Sequence, residues 1–375
     1  MHYIDDDYLL LLNLLFCDNP SKFRQAQKTW STVDQIRPHL PTFLPTPKMA
    51  EAQKTKQLNL ARHFDGALYR QKLKALGIYY IKDTDSDFPD QLRQIYDPPA
   101  LLFYKGNRTL LSADMLAIVG SRDITPYGQE CTSYFARELA PHFLIISGMA
   151  SGVDTIAHEA ALGQGRPTIA VVGTGLDQIY PASNKTLCKR IIENGLLLSE
   201  YPPESLPVAF HFPMRNRIIS GLSKGVLVIE AGEKSGALIT AKQAADQGRD
   251  VFVVPGPIFS PVSQGCHILI QEGAKLVQNC DDILADYHPG VDTPQLPFLL
   301  TRRETPAQEV PPTTPQEKPP VSTDQADILS ALKTPLTLDE LSQKTSRPIS
   351  TLLSALTILE LNQHIQMKQN RYSRI

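Results

Sequence analysis

The sequence is short of the features that announce several protein classes. Its 375 residues hold five cysteines, Cys17, Cys131, Cys188, Cys266 and Cys280. They are odd in number and widely spaced, with no CxxC pair. That pattern argues against a zinc ribbon or a disulfide framework and fits a reducing, cytoplasmic setting. Net charge is nearly absent as well, with 37 Lys+Arg against 39 Asp+Glu, or −2 at pH 7. Such a balance advertises no nucleic-acid surface, but a polyanion meets the local field of a cleft and not the sum over the chain. The apolar run Leu9–Leu12, Leu14–Phe16 follows Asp5-Asp6-Asp7. A secretory leader would open on basic residues, and a bilayer span needs about 20 apolar residues. The run therefore predicts a buried amphipathic helix, and no membrane association.

Completed nucleotide and catalytic signatures are missing too. Gly173-Thr174-Gly175 follows an apolar run, but Gln178 stands where the dinucleotide fingerprint needs glycine. In Gly232-Glu233-Lys234-Ser235, Glu233 occupies the glycine position directly before the Walker lysine. Ser147, Ser235 and His211 could be drawn as a triad, yet no G-x-S-x-G elbow exists. Asp154 and His158 are four apart with no third metal ligand in spacing, so a helix cap and a satisfied core histidine are the better account. The P-G-G-x-G-T-x-x-E run of phosphoribohydrolases is absent: Pro255-Gly256-Pro257 leads into Ile258-Phe259.

What is present is a series of short apolar runs that end in glycine, serine and a cation. The runs are Leu116–Val119, Phe143–Ile146, Thr168–Val172, Leu196–Ser199, Val226–Ile229 and Val251–Val254. Helical patterns lie between and after them at Gly128–Leu139, Asp154–Leu162, Asn184–Glu193, Arg215–Leu222, Ala237–Gln247 and Gly265–Glu272. Buried strands alternating with helices predict a parallel sheet in a three-layer α/β/α sandwich over residues 112–285. Residues 1–111 read as a helical domain with an approach segment, with helices at Tyr8–Phe16 and across Ala50–Leu76. Lys22, Arg24, Lys28, Lys48, Lys54 and Lys56 read there as a solvated face. Residues 286–322 are a proline-rich linker. Residues 323–375 predict three helices and a hairpin turning at Gln369-Asn370, a winged helix. Its third helix offers Ser350, Thr351, Ser354, Thr357 and Glu360 and no cation, which suits a protein contact or a weak accessory DNA module.

The loops after the strands suit an extended polyanion. Gly120-Ser121-Arg122 combines backbone N–H groups, a hydroxyl and a guanidinium. Phe212, Arg215, Asn216 and Arg217 place two cations and an amide beside a ring, and Lys234, Ser235 and Gly236 add an ammonium before a helix. Lys185 follows the third strand's loop, and Ser147 and Gly148 close the second. Phosphate clamps with an available ring are what single-stranded nucleic acid requires. Arg215 and Arg217 could equally be structural ion pairs, because a cation at a helix start opposes the dipole. Phe212 could be core or stacking platform. A nucleotide or phosphoribosyl hydrolase on the same fold remains the alternative.

At these residues the sequence closely resembles the DNA-processing protein A family (DprA, also called Smf). The resemblance is carried by Ala117–Arg122 with Tyr127-Gly128, Ser147–Asp154 with Ala157-His158, Tyr180-Pro181, Ser199–Pro202, Phe212–Ser223, Glu230-Ala231, Lys234–Ala241 and Gly248–Val251 with Val254–Gly256. It implies an extended Rossmann-like fold with a helical, SAM-like N-terminal domain and a C-terminal winged helix. It further implies single-stranded DNA binding, loading of the recombinase RecA during natural transformation, a homodimer, no cofactor and no catalysis. Ser151 departs from the family, which often has arginine there.

Overall fold

In a computed structural model, residues 4–45, 50–287, 323–361, 364–368 and 371–374 are described. The chain divides into two compact units, Met1–Gln295 and Leu296–Ile375.

The first unit is built on a nine-stranded sheet. Its strands are β1 (Tyr79–Lys82), β2 (Leu101–Gly106), β3 (Met115–Val119), β4 (Leu144–Ser147), β5 (Thr168–Val172), β6 (Leu196–Ser199), β7 (Gly225–Val228), β8 (Asp250–Val253) and β9 (Lys275–Leu276), in the order β1-β2-β6-β5-β4-β3-β7-β8-β9. From β6 to β9 all neighbours are parallel, whereas β2 is antiparallel to β6 and β1 to β2. The chain winds outward from β3 through β4, β5 and β6, then returns to the other side of β3 with β7. The order therefore reverses between β3 and β7, which opens a crevice beyond their carboxyl ends.

Strand β3 shows why the central strands read as unbroken apolar runs. Met115, Ala117 and Val119 enter one core, and Leu116 and Ile118 enter the core on the opposite face. With both faces covered no position is left for a polar alternation. The first face carries the helices His211–Leu222, Gly236–Asp246 and Gln264–Gln271; the second carries Pro126–Leu139, Val153–Gly163 and Lys185–Asn194. This is the expected Rossmann-like three-layer sandwich.

The helical reading of residues 1–111 requires a correction, since β1 and β2 lie inside it and extend the sheet. β1 exposes Tyr79 and buries Ile81, a half-covered edge that carries little apolar signal. The expected amphipathic helix is Asp6–Phe16, and it is buried nearly all round. Leu9 and Leu10 face the sheet, while Tyr8, Leu11 and Leu12 face the N-terminal helices. Lys22 and Arg24 are not a solvated face. Lys22 Nζ donates to the carbonyls of Leu44 (3.0 Å) and Pro45 (2.9 Å), and Arg24 pairs with Asp97.

The second unit contains helices Thr323–Ala331, Leu338–Thr345 and Ile349–Leu361 and the antiparallel pair Ile365–Lys368 and Arg371–Arg374. Thr337 and Glu340 close a reciprocal capping box at the second helix. Thr351, Ser354 and Glu360 are exposed on the third helix, beside the exposed apolar Ile349 and Leu353. The side chains of Ser350 and Thr357, the Gln369-Asn370 turn, Lys48 and the linker beyond residue 287 lie outside the described residues.

Two buried polar side chains, Arg217 and His158, are set deep in the first unit. Arg217 sends paired hydrogen bonds to Glu200 (2.9 and 2.8 Å) and a third from Nε to the Asp97 carbonyl (2.9 Å), tying helix His211–Leu222 to β6 and to the segment before β2. Arg217→Leu leaves a largely buried carboxylate unpaired and should cost about 3–5 kcal/mol of stability in denaturant unfolding. A loss below about 1 kcal/mol would contradict this role.

His158 is fully buried. Thr168 Oγ1 donates to the Ile145 carbonyl (2.7 Å), so it accepts from His158 Nδ1 (2.8 Å), which fixes the proton on Nδ1. Burial, with the charge of Arg215 adding to it, pulls this imidazole from 6.5 down to about 3. The unfolded chain takes up the proton near 6.5 and the folded chain does not. Its stability contribution is therefore complete above that pH and is lost as pH falls toward 3, by about 1.4 kcal/mol per unit. Urea titrations of wild type and His158→Asn across this window should show the variant with the flatter slope; equal slopes would mean that His158 is not held neutral.

Candidate nucleic-acid interface

A cleft of about 770 Å³ occupies the crevice at the strand-order reversal. Its walls come from the loops after β3 (Gly120–Asp123), β4 (Ala150), β5 (Tyr180), β6 (Pro207, Ala209) and β7 (Gly232, Lys234, Ser235), and from the first turns of the helices at Phe212–Asn216 and Gly236–Thr240. Nine of the thirteen residues predicted from sequence line it: Gly120, Ser121, Arg122, Phe212, Arg215, Asn216, Lys234, Ser235 and Gly236. The helix carrying Phe212 starts at His211, earlier than its pattern suggested, which brings that ring and Arg215 into the first turns.

The lining residues differ in what they can offer a ligand. Arg122 and Lys234 are exposed, and neither has an ion-pair partner among the described residues. The Arg122 guanidinium lies 5.6 Å from the centre of the Phe212 ring, within cation–π range. Asp123 is the exposed opposing charge. Ser121 Oγ is committed to its own turn, donating to the Asp123 carbonyl (2.9 Å) and accepting from the Asp123 N–H (3.1 Å). Ser235 Oγ caps its helix by accepting from the Ala237 N–H (3.2 Å). Both serines therefore shape loops whose backbone faces the cleft.

Arg215 lines the cleft yet is spent on the protein. It is 4% exposed, and its Nη1 donates to the carbonyls of Gly148 (2.7 Å) and Val171, at the ends of β4 and β5. Its guanidinium fills the space a side chain at Gly148 would take, the added Cβ meeting Nη2 at 2.5 Å. Burial lowers its pKa to about 10, with Arg122 adding to this and Asp154 opposing it, so it remains charged at neutral pH. Burial raises the Asp154 carboxyl, and Arg215 is the main opposing influence.

These groups lock the loop after β4. Met149 holds a left-handed φ of 59° with its side chain buried, a conformation costing roughly 1–3 kcal/mol. Arg215 on Gly148 O, Asn184 Nδ2 on Met149 O (3.0 Å) and Asp154 on the Ala150 N–H (3.1 Å) enforce it. Gly152, at φ 76°, lets this loop touch the next; a Cβ there would sit 2.3 Å from the Ser121 carbonyl.

Four predicted residues are not in the lining. Ser147 is buried and donates to the Ile118 carbonyl (2.6 Å), and Gly148 receives Arg215. Arg217 is buried in its ion pair with Glu200. Lys185 is exposed at the start of its helix, outside the cleft. Nor do Ser147 and His211 form a catalytic pair, because the His211 ring nitrogens are engaged by Gly173 O (3.0 Å) and Asp18 (2.7 Å).

Two contributors escaped sequence reasoning. Glu230 is buried and accepts from the Thr125 N–H (3.0 Å) and hydroxyl, fixing the exit of the Gly120–Asp123 loop. Tyr180 lines the cleft with 45% of its surface exposed. Both stand in the motifs Glu230-Ala231 and Tyr180-Pro181, which were visible without assigned roles.

A family model described as DNA recombination-mediator protein A matches residues 79–288, and one described as the DprA winged helix domain matches residues 311–368. The chain is 51% identical over 203 residues to the DNA processing protein DprA of Streptococcus pneumoniae (54% of this chain, 72% of that one). It is 37% identical over 305 residues to Protein Smf of Escherichia coli (79% and 78%). The X-ray structure of DNA processing protein A from Streptococcus pneumoniae superposes with a TM-score of 0.64 at 38% identity, covering 76% of this chain and 98% of that one. A structure addressing the single-stranded DNA binding mode of DNA processing protein A from Helicobacter pylori gives a TM-score of 0.51 at 34% identity, covering 56% and 95%. With its sheet, cleft and both domain matches in agreement, the chain belongs to the DNA recombination-mediator protein A family, the DprA/Smf proteins.

Proposed function

We propose that this chain binds single-stranded DNA in the cleft between β3 and β7 and acts by binding, without turnover. The observation that carries the reading is the pair of exposed cations, Arg122 and Lys234, that have no ion-pair partner among the described residues and sit on neighbouring loops around a half-buried ring. Phosphates lie along the backbone of the Gly120–Asp123 loop and the start of helix Gly236–Asp246, where the positive helix end favours anions. Bases splay toward Phe212, which belongs to no core cluster among the described residues. The single-strand reading is supported by the Helicobacter pylori relative.

On this footing the protein is a recombination mediator in the cytoplasm. It shields incoming strands during natural transformation and hands them to the RecA recombinase as a homodimer. No helix among the described residues is long and apolar enough to cross a membrane.

With Arg122, Lys234 and the nearby Lys185 as phosphate contacts, the affinity for oligothymidylate should fall with salt at a log–log slope of roughly −2. Arg122→Ala should weaken binding for all sequences alike and flatten the slope by about 0.7. Salt-independent binding, or release of product from nucleoside monophosphates that depends on Arg122, would overturn the reading. Phe212→Ala should cost about 1–3 kcal/mol of binding with little change in thermal stability. A drop in Tm with unchanged affinity of the folded fraction would make the ring a core residue instead.

A further inference from the structure

The ring at the centre of the cleft is already engaged in the free protein. Phe212 has the Arg122 guanidinium 5.6 Å from its centroid and the Tyr180 ring 5.6 Å away, tilted at 38°. Its edge rests on the Gly173 backbone, where a Cβ would meet the ring at 3.2 Å. Guanidinium, phenyl and phenol thus form one continuous series across the cleft. Its two ends differ: one is a cation, and the other is a ring with 45% of its surface open.

We infer that Tyr180 is a second base-stacking surface, on which a single strand lays the nucleotide next to the one at Phe212. This rests on the single-strand reading of the cleft and adds a direction to it. A strand with one phosphate at Arg122 and a base at Phe212 continues over Tyr180. It then meets the exposed Lys185, which starts the helix following the Tyr180 loop and has no ion-pair partner among the described residues. Tyr180 is fixed for this task from behind. Thr174 Oγ1 donates to the Gln178 carbonyl (2.8 Å), bracing the near side of its loop. Asn184, buried on the far side, donates to Met149 O (3.0 Å) and Thr155 Oγ1 (2.8 Å). An aromatic held by its backbone in this way loses little entropy when a base covers it, and stacking on it tolerates any base.

The test compares oligothymidylate with an abasic deoxyribose-phosphate oligomer of equal length, both bound to the full chain at fixed salt. Tyr180→Ala should weaken oligothymidylate binding roughly 5- to 150-fold, the range for one stacked base, and leave the abasic oligomer unchanged. Tyr180→Phe should restore wild-type affinity for both. Tyr180→Trp, in a chain whose Trp30 is replaced by phenylalanine, should lose fluorescence on adding oligothymidylate and keep it on adding the abasic oligomer. The inference is overturned if Tyr180→Ala leaves the oligothymidylate-to-abasic ratio unchanged, or if it weakens both ligands equally. Failure of the cleft reading itself looks different: Arg122→Ala would then leave the affinity for both oligomers intact.

Discussion

Everything in the cleft depends on one buried cation. Arg215 sits under the floor, ties the ends of β4 and β5 through two carbonyls, and is balanced by Asp154. Burying a guanidinium is costly unless its donors and its charge are met; here Nε donates to Asn216 Oδ1 (3.0 Å), Nη1 donates to the two carbonyls, and Asp154 favours the charged form. In return the loop after β4 is held at the left-handed Met149, and it supports the Gly120–Asp123 loop through Gly152. Through this loop Arg215 supports the place of the exposed Arg122. It also adds positive potential to the cleft while almost wholly buried.

The division of labour among the arginines follows from burial. Arg215 and Arg217 are neighbours on one helix, and both are withdrawn from water. Arg217 faces Glu200 and Asp97 and braces the sheet; Arg215 faces the strand ends and braces the site. Arg122 alone of the three is exposed, with no ion-pair partner among the described residues. A ligand's phosphate needs such a group, because a cation already paired with a carboxylate has little to gain from an anion.

How much was legible in the sequence follows the same physics. Strands β3 to β8 were readable because both faces are buried, so each is an uninterrupted apolar run ending in a loop. β1 was not, because it is an edge with Tyr79 outside, and β9 has only two residues, both exposed. The cleft was readable as a set of loops, since its glycines, serines and cations follow strand ends. The roles within it were less so. Nothing local separates Arg215 from Arg217; the partners that divide their roles are distant, Val171 and Gly148 for the first and Glu200, 17 residues away, for the second. Ser147 reads as a loop hydroxyl, and only the fold shows it bonded to Ile118 across the sheet. Tyr180 and Glu230 gain meaning only from residues distant in sequence, Phe212 and Thr125.

The central claim is that a single strand lies along the loops after β3 and β7 and not elsewhere on the chain. Amide hydrogen exchange of the full chain, with and without saturating oligothymidylate, tests it most directly. The account predicts slowed exchange at Gly120–Asp123 and across Gly232–Ala237, with the winged helix unaffected. Protection confined to residues 323–375, with both cleft loops unchanged, would contradict it.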